Sequence, residues 1–219
     1  MFFDMYKARI YALSTTHFCD ASSKIKPIQE HLKLMAAQHK MLGVAHTVNS
    51  QGGLMAVMQG LQDAQERDIL VIDAAGSDKA MVGELFATEA RRKQLAGIII
   101  FGACRDIDAL RKMNFPFYAL HSNPSAGNKT SLGQTQIPLI RDSITMNHGD
   151  VIYADESGIV VAPSQIFIEA LPAAEDIAKN EQSVLERMKQ GQSVLDLLNF
   201  REHLHNLENN KNSSLTFKI

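Results

Sequence analysis

Glu84 and the dipeptide Arg105-Asp106 are the residues of this 219-residue chain whose types and placement suit chemistry. Gly83-Glu84-Leu85 reads as the opening of a helix. Arg105-Asp106 follows an apolar run, Ile98-Ile99-Ile100-Phe101, just past Gly102-Ala103-Cys104. In open α/β sheets ligands collect at the carboxyl ends of strands, beside helix N-termini, so both motifs fall on one sheet edge. Asp and Glu suit a hard cation such as Mg²⁺, which keeps several waters and needs only one or two carboxylates. Arg stays charged and pairs with an oxyanion. Backbone amides over Gly83 to Phe86 offer a seat for a carboxylate. Together these groups could stabilise the enolate left when a 2-oxo acid loses a group from the carbon next to its carbonyl. Residue type alone leaves a plainer alternative open. An Asp that opens a helix caps it, an Arg beside it is a surface charge, and a Glu in the first turn suits the helix dipole.

The elements that must position these residues are legible in the pattern. Ile69-Leu70-Val71-Ile72 and Ile98 to Phe101 are apolar on both faces, as strands of a covered parallel sheet are. Between them residues 80–95 have helical spacing, with Met81, Val82, Leu85, Phe86 and Ala90 on one face. Residues 69–101 therefore read as a β-α-β unit. Val44 to Val48 reads as a strand and 54–65 as a helix. Ile107 to Met113 reads as a short helix leading to a strand at Pro116 to Leu120. Further short strands are expected at 137–140, 143–146, 151–153 and 158–161, separated by Asp, Gly and Asn turns. Ser14 and Thr15 are N-cap residues for a helix carrying Phe18, Cys19 and Ala21. Residues 1–205 are expected as one α/β domain. Its C-terminal helices fall at about 165–205, interrupted by Pro172 and Gly191, and 206–219 form a flexible tail.

Composition narrows the partners. With 45% hydrophobic residues the chain can bury a sizeable core. A net charge of −2 with both signs interspersed gives no broad reason to bind nucleic acid or an anionic membrane. No stretch is long enough to span a membrane, and the N-terminus lacks the basic-then-apolar order of a signal peptide. A cytoplasmic location is expected. Cys19 and Cys104 are expected as separate thiols, and two cysteines alone make no structural zinc site.

From about Leu13 to Glu181 the chain resembles the class II 4-hydroxy-4-methyl-2-oxoglutarate aldolases, which share their fold with a regulator of RNase E activity (the RraA-like family). Glu84, a gap of twenty residues, then Arg105-Asp106 matches that family's acidic residue, gap and Arg-Asp. Gly83-Glu84-Leu85 with Ala87-Thr88 matches its loop-to-helix segment. Phe115-Pro116-Phe117-Tyr118-Ala119 is similar to its Phe-Pro strand, and Gly149-Asp150 through Val161 to its late hairpin. Leu13-Ser14-Thr15 with Cys19-Asp20-Ala21 is similar to its N-terminal signature.

The resemblance implies a swivelling β/β/α fold of the phosphohistidine-domain type, with central parallel or mixed sheets flanked by helices, assembled as a homotrimer or hexamer. It implies Mg²⁺ or Mn²⁺ held directly by Asp106 and through a water by Glu84. Arg105 would bind the pyruvyl oxygen, and the amides of Leu85 and Phe86 the substrate carboxylate. Glu181 would reach the site from a neighbouring subunit. The implied activity is retro-aldol cleavage of a 4-hydroxy-2-oxo acid to pyruvate, with oxaloacetate decarboxylation as a second activity. The alternatives are a non-catalytic regulator that binds a ribonuclease and, since family members have been labelled so, a menaquinone methyltransferase. Gly76 stands alone where a methyltransferase needs a Gly-rich loop.

Three departures from the family's pattern matter. Its Asp-Asn-Leu is Gly52-Gly53-Leu54 here, its Ala-Arg-Gly is Ala119-Leu120-His121, and its Gly-Gly-Val before the late strand is Asp142-Ser143-Ile144. The cation that would hold a distal carboxylate is thus missing at Leu120. Lys79 lies close to Glu84 and could suggest a Schiff-base aldolase, but Ser77-Asp78-Lys79 reads as solvated, and such a lysine needs an apolar pocket.

Overall fold

The structure is a computed structural model that describes residues 2–37, 40–141 and 143–218; Ile219, in the expected tail, and Asp142, where the family has Gly-Gly-Val, fall outside them. Two helices come first, α1 (Phe2–Tyr11) and α2 (Thr15–Ala21). Then follow β1 (Lys26–Pro27), β2 (Lys33–Leu34), β3 (Met41–Asn49), α3 (Met55–Asp63), β4 (Asp68–Asp73), β5 (Ala80–Val82) and α4 (Glu84–Arg92). The middle of the chain supplies β6 (Gly97–Cys104), α5 (Ile107–Lys112), β7 (Phe117–Ser122) and β8 (Gln134–Thr135). The remainder is β9 (Leu139–Arg141), β10 (Ile144–Met146), β11 (Val151–Asp155), β12 (Gly158–Ala162), α6 (Ser164–Lys189) and α7 (Phe200–Glu208).

The principal sheet is mixed and runs β1-β12-β11-β3-β4-β6-β7-β2, with β5 added on β6 and β8 on β3. Its centre, β3-β4-β6-β7, is parallel, as the doubly apolar runs require. Side chains alternate across it. Leu70, Ile72, Ile98 and Ile100 pack under α3 and α4 with Val57, Leu61, Ala87 and Ala90. Ile69, Val71, Ile99 and Phe101 face the other way. They share a core with Tyr118 of β7 and with Ile159 and Val161 of β12. Strands from both ends of the order meet in that core, so the sheet is curled around it. Each fully buried isoleucine or leucine contributes about 1.5–3 kcal/mol, and these strands supply most of the central ones.

A third core packs α1, α2 and α6 on the outside of β11 and β12. Phe18 stands edge-on to Tyr153 and Phe167, with centroids 5.9 and 5.3 Å away. Ser14 caps α2 as its position predicts. Its Oγ accepts from the His17 amide, while His17 Nδ1 accepts from the Ser14 amide. With Nδ1 accepting, the ring proton sits on Nε2, which donates to Glu181 Oε2 at 3.0 Å. Asp155 fastens α2 to the β11–β12 hairpin. Its carboxylate accepts from the amide and hydroxyl of Thr15, each at 2.8 Å, and from the Ser157 amide.

The structure departs from the sequence reading in three places. The helix expected over 80–95 is a strand and then a helix. Ala80-Met81-Val82 pair with the end of β6, and Gly83 divides them from α4. Pro172 does not interrupt α6, whose buried face runs through Phe167, Ala170, Leu171 and Ala174. A proline removes one helical hydrogen bond, and packing over that face outweighs it. Gly191, with φ of +92°, lies just past the helix end. Lastly, α7 extends to Glu208, and the segment expected to trail free turns back. The Asn199 amide donates to Thr216, the Thr216 amide to the Asn199 side chain, and the Lys218 amide to Leu197.

The Asp155 link predicts a measurable loss. Asp155→Ala leaves the part-buried Thr15 amide and hydroxyl without their acceptor, at a cost of about 2 kcal/mol. Urea denaturation monitored by circular dichroism should show a lowered midpoint with an unchanged slope. An unshifted midpoint would mean that the link carries no stability.

Candidate active site

Gly83, Glu84, Arg105 and Asp106 meet at the carboxyl edge of the parallel strands. Asp106 follows β6 in the left-handed backbone region, φ +59° and ψ +41°. L-residues pay for that conformation, about 1–2 kcal/mol each, and Asp is among the few that visit it. It turns the carboxylate back onto α4, where Oδ2 accepts from the Glu84 amide at 3.0 Å. The Arg105 amide donates to Val82 O at 3.0 Å, locking the same turn onto β5. Close approach explains Gly83. A Cβ there would lie 2.3 Å from Asp106 Oδ2 and 2.8 Å from Arg105 Cγ. Only glycine lets the two segments touch.

Arg105 Nε stands 3.7 Å from Asp106 Oδ2, and the two side chains are 41% and 42% exposed. That separation exceeds hydrogen-bond length, so Asp106 does not consume the guanidinium fork. The first intrahelical bond of α4 is from the Ala87 amide to Gly83 O. The amides of Leu85 and Phe86 thus have no acceptor within the helix and are available to an anion. Glu84 is exposed in the same first turn. The donor set around Asp106 and Glu84 is oxygen, open to water and backed by an arginine. Among the described residues no group of three His, Cys, Asp or Glu is placed to hold a metal. Two carboxylates fit a hard ion that keeps most of its waters.

Gly83, Arg105 and Asp106 line a cleft whose apolar lining includes Leu54, Met81, Val82, Phe86 and Ala126; Glu84 stands outside that lining. Sequence reading missed Leu54, Met81 and Ala126 as site residues. Ala126 arrives on the loop after β7, which is stitched to β5 by bonds from the Ala80 amide to Ser125 O and from the Gly127 amide to Ala80 O. Its run Asn123-Pro124-Ser125-Ala126-Gly127-Asn128 has turn composition, which signals a loop but not where it lands. Neither Leu120 nor His121 lines the cleft. Glu181 is on α6, held by His17 of α2 at the core over β11 and β12 rather than the one beneath α4, and it is not among the residues that line the cleft. Lys79 is half-exposed beside Asp78, without the apolar enclosure that a Schiff-base lysine needs.

Comparison with known proteins bears on this geometry. A family model described as "RraA-like: Aldolase/RraA" matches residues 15–161, from the start of α2 into β12. The chain belongs to the RraA-like family. A relative from Halalkalibacterium halodurans, named "Putative 4-hydroxy-4-methyl-2-oxoglutarate aldolase", is 29% identical over 153 residues, covering 69% of this chain and 73% of its own. The RNA-processing inhibitor RraA from Thermus thermophilis superposes with a TM-score of 0.65 at 25% identity, over 68% of this chain and 92% of that one. An uncharacterized protein from Pseudomonas syringae pv. tomato superposes at 0.78 with 25% identity, over 86% and 90%. The curled mixed sheet flanked by helices is thus an RraA-type fold, as the sequence resemblance implied. The family match contains Gly83, Glu84, Arg105 and Asp106 and leaves out α6 and α7. Among the described residues no helix is long and apolar enough to cross a membrane.

Cys104 sits directly under the site, buried at the end of β6, its thiol directed at His121 O. Burial pushes the thiol up to about 11 from an ordinary 9.0. A group raised in the folded state keeps its proton while the unfolded chain loses it. Its contribution to stability is therefore full below pH about 9 and lost as pH rises to about 11. Native protein at pH 8 should resist iodoacetamide at Cys104 and react only after denaturation, because about one thiol in a thousand is ionised there. Mass spectrometry of the Cys104 peptide reads this directly. Rapid native labelling would contradict the buried position.

Proposed function

We propose that this chain is a divalent-metal-dependent lyase that cleaves a 4-hydroxy-2-oxo acid of the 4-hydroxy-4-methyl-2-oxoglutarate type to pyruvate. The observation that carries the reading is the Asp106 carboxylate, set by a left-handed residue on the Glu84 amide beside a guanidinium it does not consume. A carboxylate so placed, beside an arginine and two helix-opening amides without helical acceptors, suits a ligand, and an outlying backbone at such a place points to function. The regulator reading draws on the likeness to the Thermus inhibitor and gives these residues no task.

In the proposed reaction the amides of Leu85 and Phe86 hold the C1 carboxylate. Arg105 holds the 2-oxo oxygen and balances the charge that grows on it. Mg²⁺ or Mn²⁺, when bound, supplies Lewis-acid polarisation at that oxygen. Asp106 would hold the ion directly and Glu84 through a water. Glu181 of a neighbouring copy, in a cytoplasmic homotrimer or hexamer, would complete the donor set. The 4-hydroxyl gives its proton to a water in the open cleft, and the freed O–H pair forms the C=O bond of the departing carbonyl product. The C3–C4 bond breaks, and its electron pair becomes the pyruvate enolate, which takes a proton from water at C3. The apolar lining of Leu54, Met81 and Phe86 lowers the local dielectric, which strengthens the arginine's effect. Oxaloacetate passes through the same enolate when CO₂ leaves, so decarboxylation is a second proposed activity.

Pyruvate release from 4-hydroxy-4-methyl-2-oxoglutarate and from oxaloacetate tests the proposal. Activity should require Mg²⁺ or Mn²⁺, vanish with chelator, and fall by about a hundredfold or more in Asp106→Ala. Turnover indifferent to chelator and to Asp106 would sink the proposal. Gly83→Ala should displace the Asp106 carboxylate and weaken Mn²⁺ binding by about tenfold to a hundredfold. Paramagnetic resonance of free Mn²⁺ reads that change, and circular dichroism checks that the fold is kept. Unaltered Mn²⁺ affinity would remove the close approach from the site.

A further inference from the structure

The cleft lies at the carboxyl edge of the parallel strands, and the amino edge has a hollow of its own, about 420 Å³ in volume. It is walled where each strand begins: Leu42 of β3, Arg67 before β4, Ala96 before β6 and Pro116 before β7. Cations dominate it. Lys7, Lys40, Arg67 and Arg91 line it with Glu66, the one acid among the described lining residues. The whole chain has a net charge of −2, so the hollow is a local reversal of sign. Like charges gathered on a concave wall focus a positive field into it, and that field draws in anions.

Specific contacts place these cations. The ammonium groups of Lys7 and Lys40 stand 5.6 and 5.3 Å from the centroid of one ring, that of Tyr11. Lys40 also donates to Tyr11 O at 2.6 Å. Arg67 has φ of +71°, a left-handed backbone that is uncommon for a long side chain. Its amide donates to Gln94 O at 3.0 Å, and its carbonyl accepts from the Val44 amide at 3.2 Å. Gly43 makes room for that turn, because a Cβ there would lie 2.5 Å from Arg67 O. Backbone held in this way gathers at ligand clamps. Glu66 stands 3.5 Å from Arg67 Nε on the surface, a pair of the kind worth little in water.

Arg91 differs from the cations that follow it. Arg92 pairs with Glu89, and Lys93 caps α3 by donating to Leu61 O and Gln62 O. Arg91 makes no ion pair among the described residues. The dipole of α4 favours a cation in its last turn. Lys7 and Arg67 belong to no helix end, so the dipole does not account for them. Guanidinium forks match phosphate oxygens two at a time. Cations from several elements suit an anion with more than one charged group. The volume is in the range of small-ligand sites, and Tyr11, Leu42 and Phe115 give it an apolar side.

We propose that this hollow binds a polyphosphate, free or as the phosphate end of a nucleotide, held by Arg67 and Arg91 together with Lys7 and Lys40. The site is separate from the lyase cleft and does not rest on that reading.

Isothermal titration of the metal-free protein in low-salt buffer tests it, with pyrophosphate and ADP as probes. Both should bind wild type. Lys7→Gln and Arg91→Gln should each weaken both by about tenfold, the scale of one lost charge-assisted contact. Both residues are exposed, so the fold should survive, and circular dichroism checks this. Arg105→Gln, at the opposite edge, should leave both affinities unchanged. Tighter binding of ADP than of pyrophosphate would assign a nucleotide, and no gain from the nucleoside would assign free polyphosphate. The proposal is overturned if neither probe binds, if sulfate binds as tightly as pyrophosphate, or if Lys7→Gln and Arg91→Gln bind as wild type does. Loss of binding in Arg105→Gln alone would place the anion in the cleft and overturn it as well.

Discussion

A single hydrogen bond, from the Glu84 amide to Asp106 Oδ2, joins the end of β6 to the start of α4 across 22 residues. Three conditions must hold at once for it to form. Residue 83 must lack a Cβ, because one would overlap the accepting oxygen. Asp106 must adopt a left-handed backbone, and β5 must lie in register on β6 to bring Gly83 level with the turn. None of these is stabilising alone. Their combined cost is offset by the sheet beneath, where every residue of β6 is buried.

That sheet also explains why the turns recur. Gln51, Ala75 and Asp106 each stand two residues past a central parallel strand, and each has a positive φ. The strands are held rigidly by cores on both faces, so their ends are fixed points from which short turns must reverse the chain. Left-handed residues do this in the least length and point backbone amides outward. The turn that sets Asp106 and the turns beyond β3 and β4 thus arise from one geometric need, repeated along one edge.

Much of this is legible in the sequence, for physical reasons. The runs at 69–72 and 98–101 announce strands because both faces are apolar, and Ser14 announces a helix because its hydroxyl can cap. Glu84, Arg105 and Asp106 stand out by type and spacing. β5 does not, because Ala80-Met81-Val82 continues the apolar spacing of the helix behind it. Its strand form depends on pairing with residues more than twenty positions away. The role of Gly83 is hidden for the same reason: nothing local reveals which side chain it must admit. Ala126 and Asn128 sit in a segment whose composition declares a loop and leaves its landing place open. Pro172 misleads because a local rule yields to the packing of a long buried face.

The outermost strands have a consequence of their own. The sheet ends in β1 and β2, each two residues long and made of Lys26-Pro27 and Lys33-Leu34. An open edge of unpaired backbone invites another chain to add a strand, and brevity, lysine and proline are what discourage it. Lengthening of the curled sheet into a ribbon is therefore discouraged at both ends, and any meeting of copies is steered toward side chains, where geometry can specify a partner.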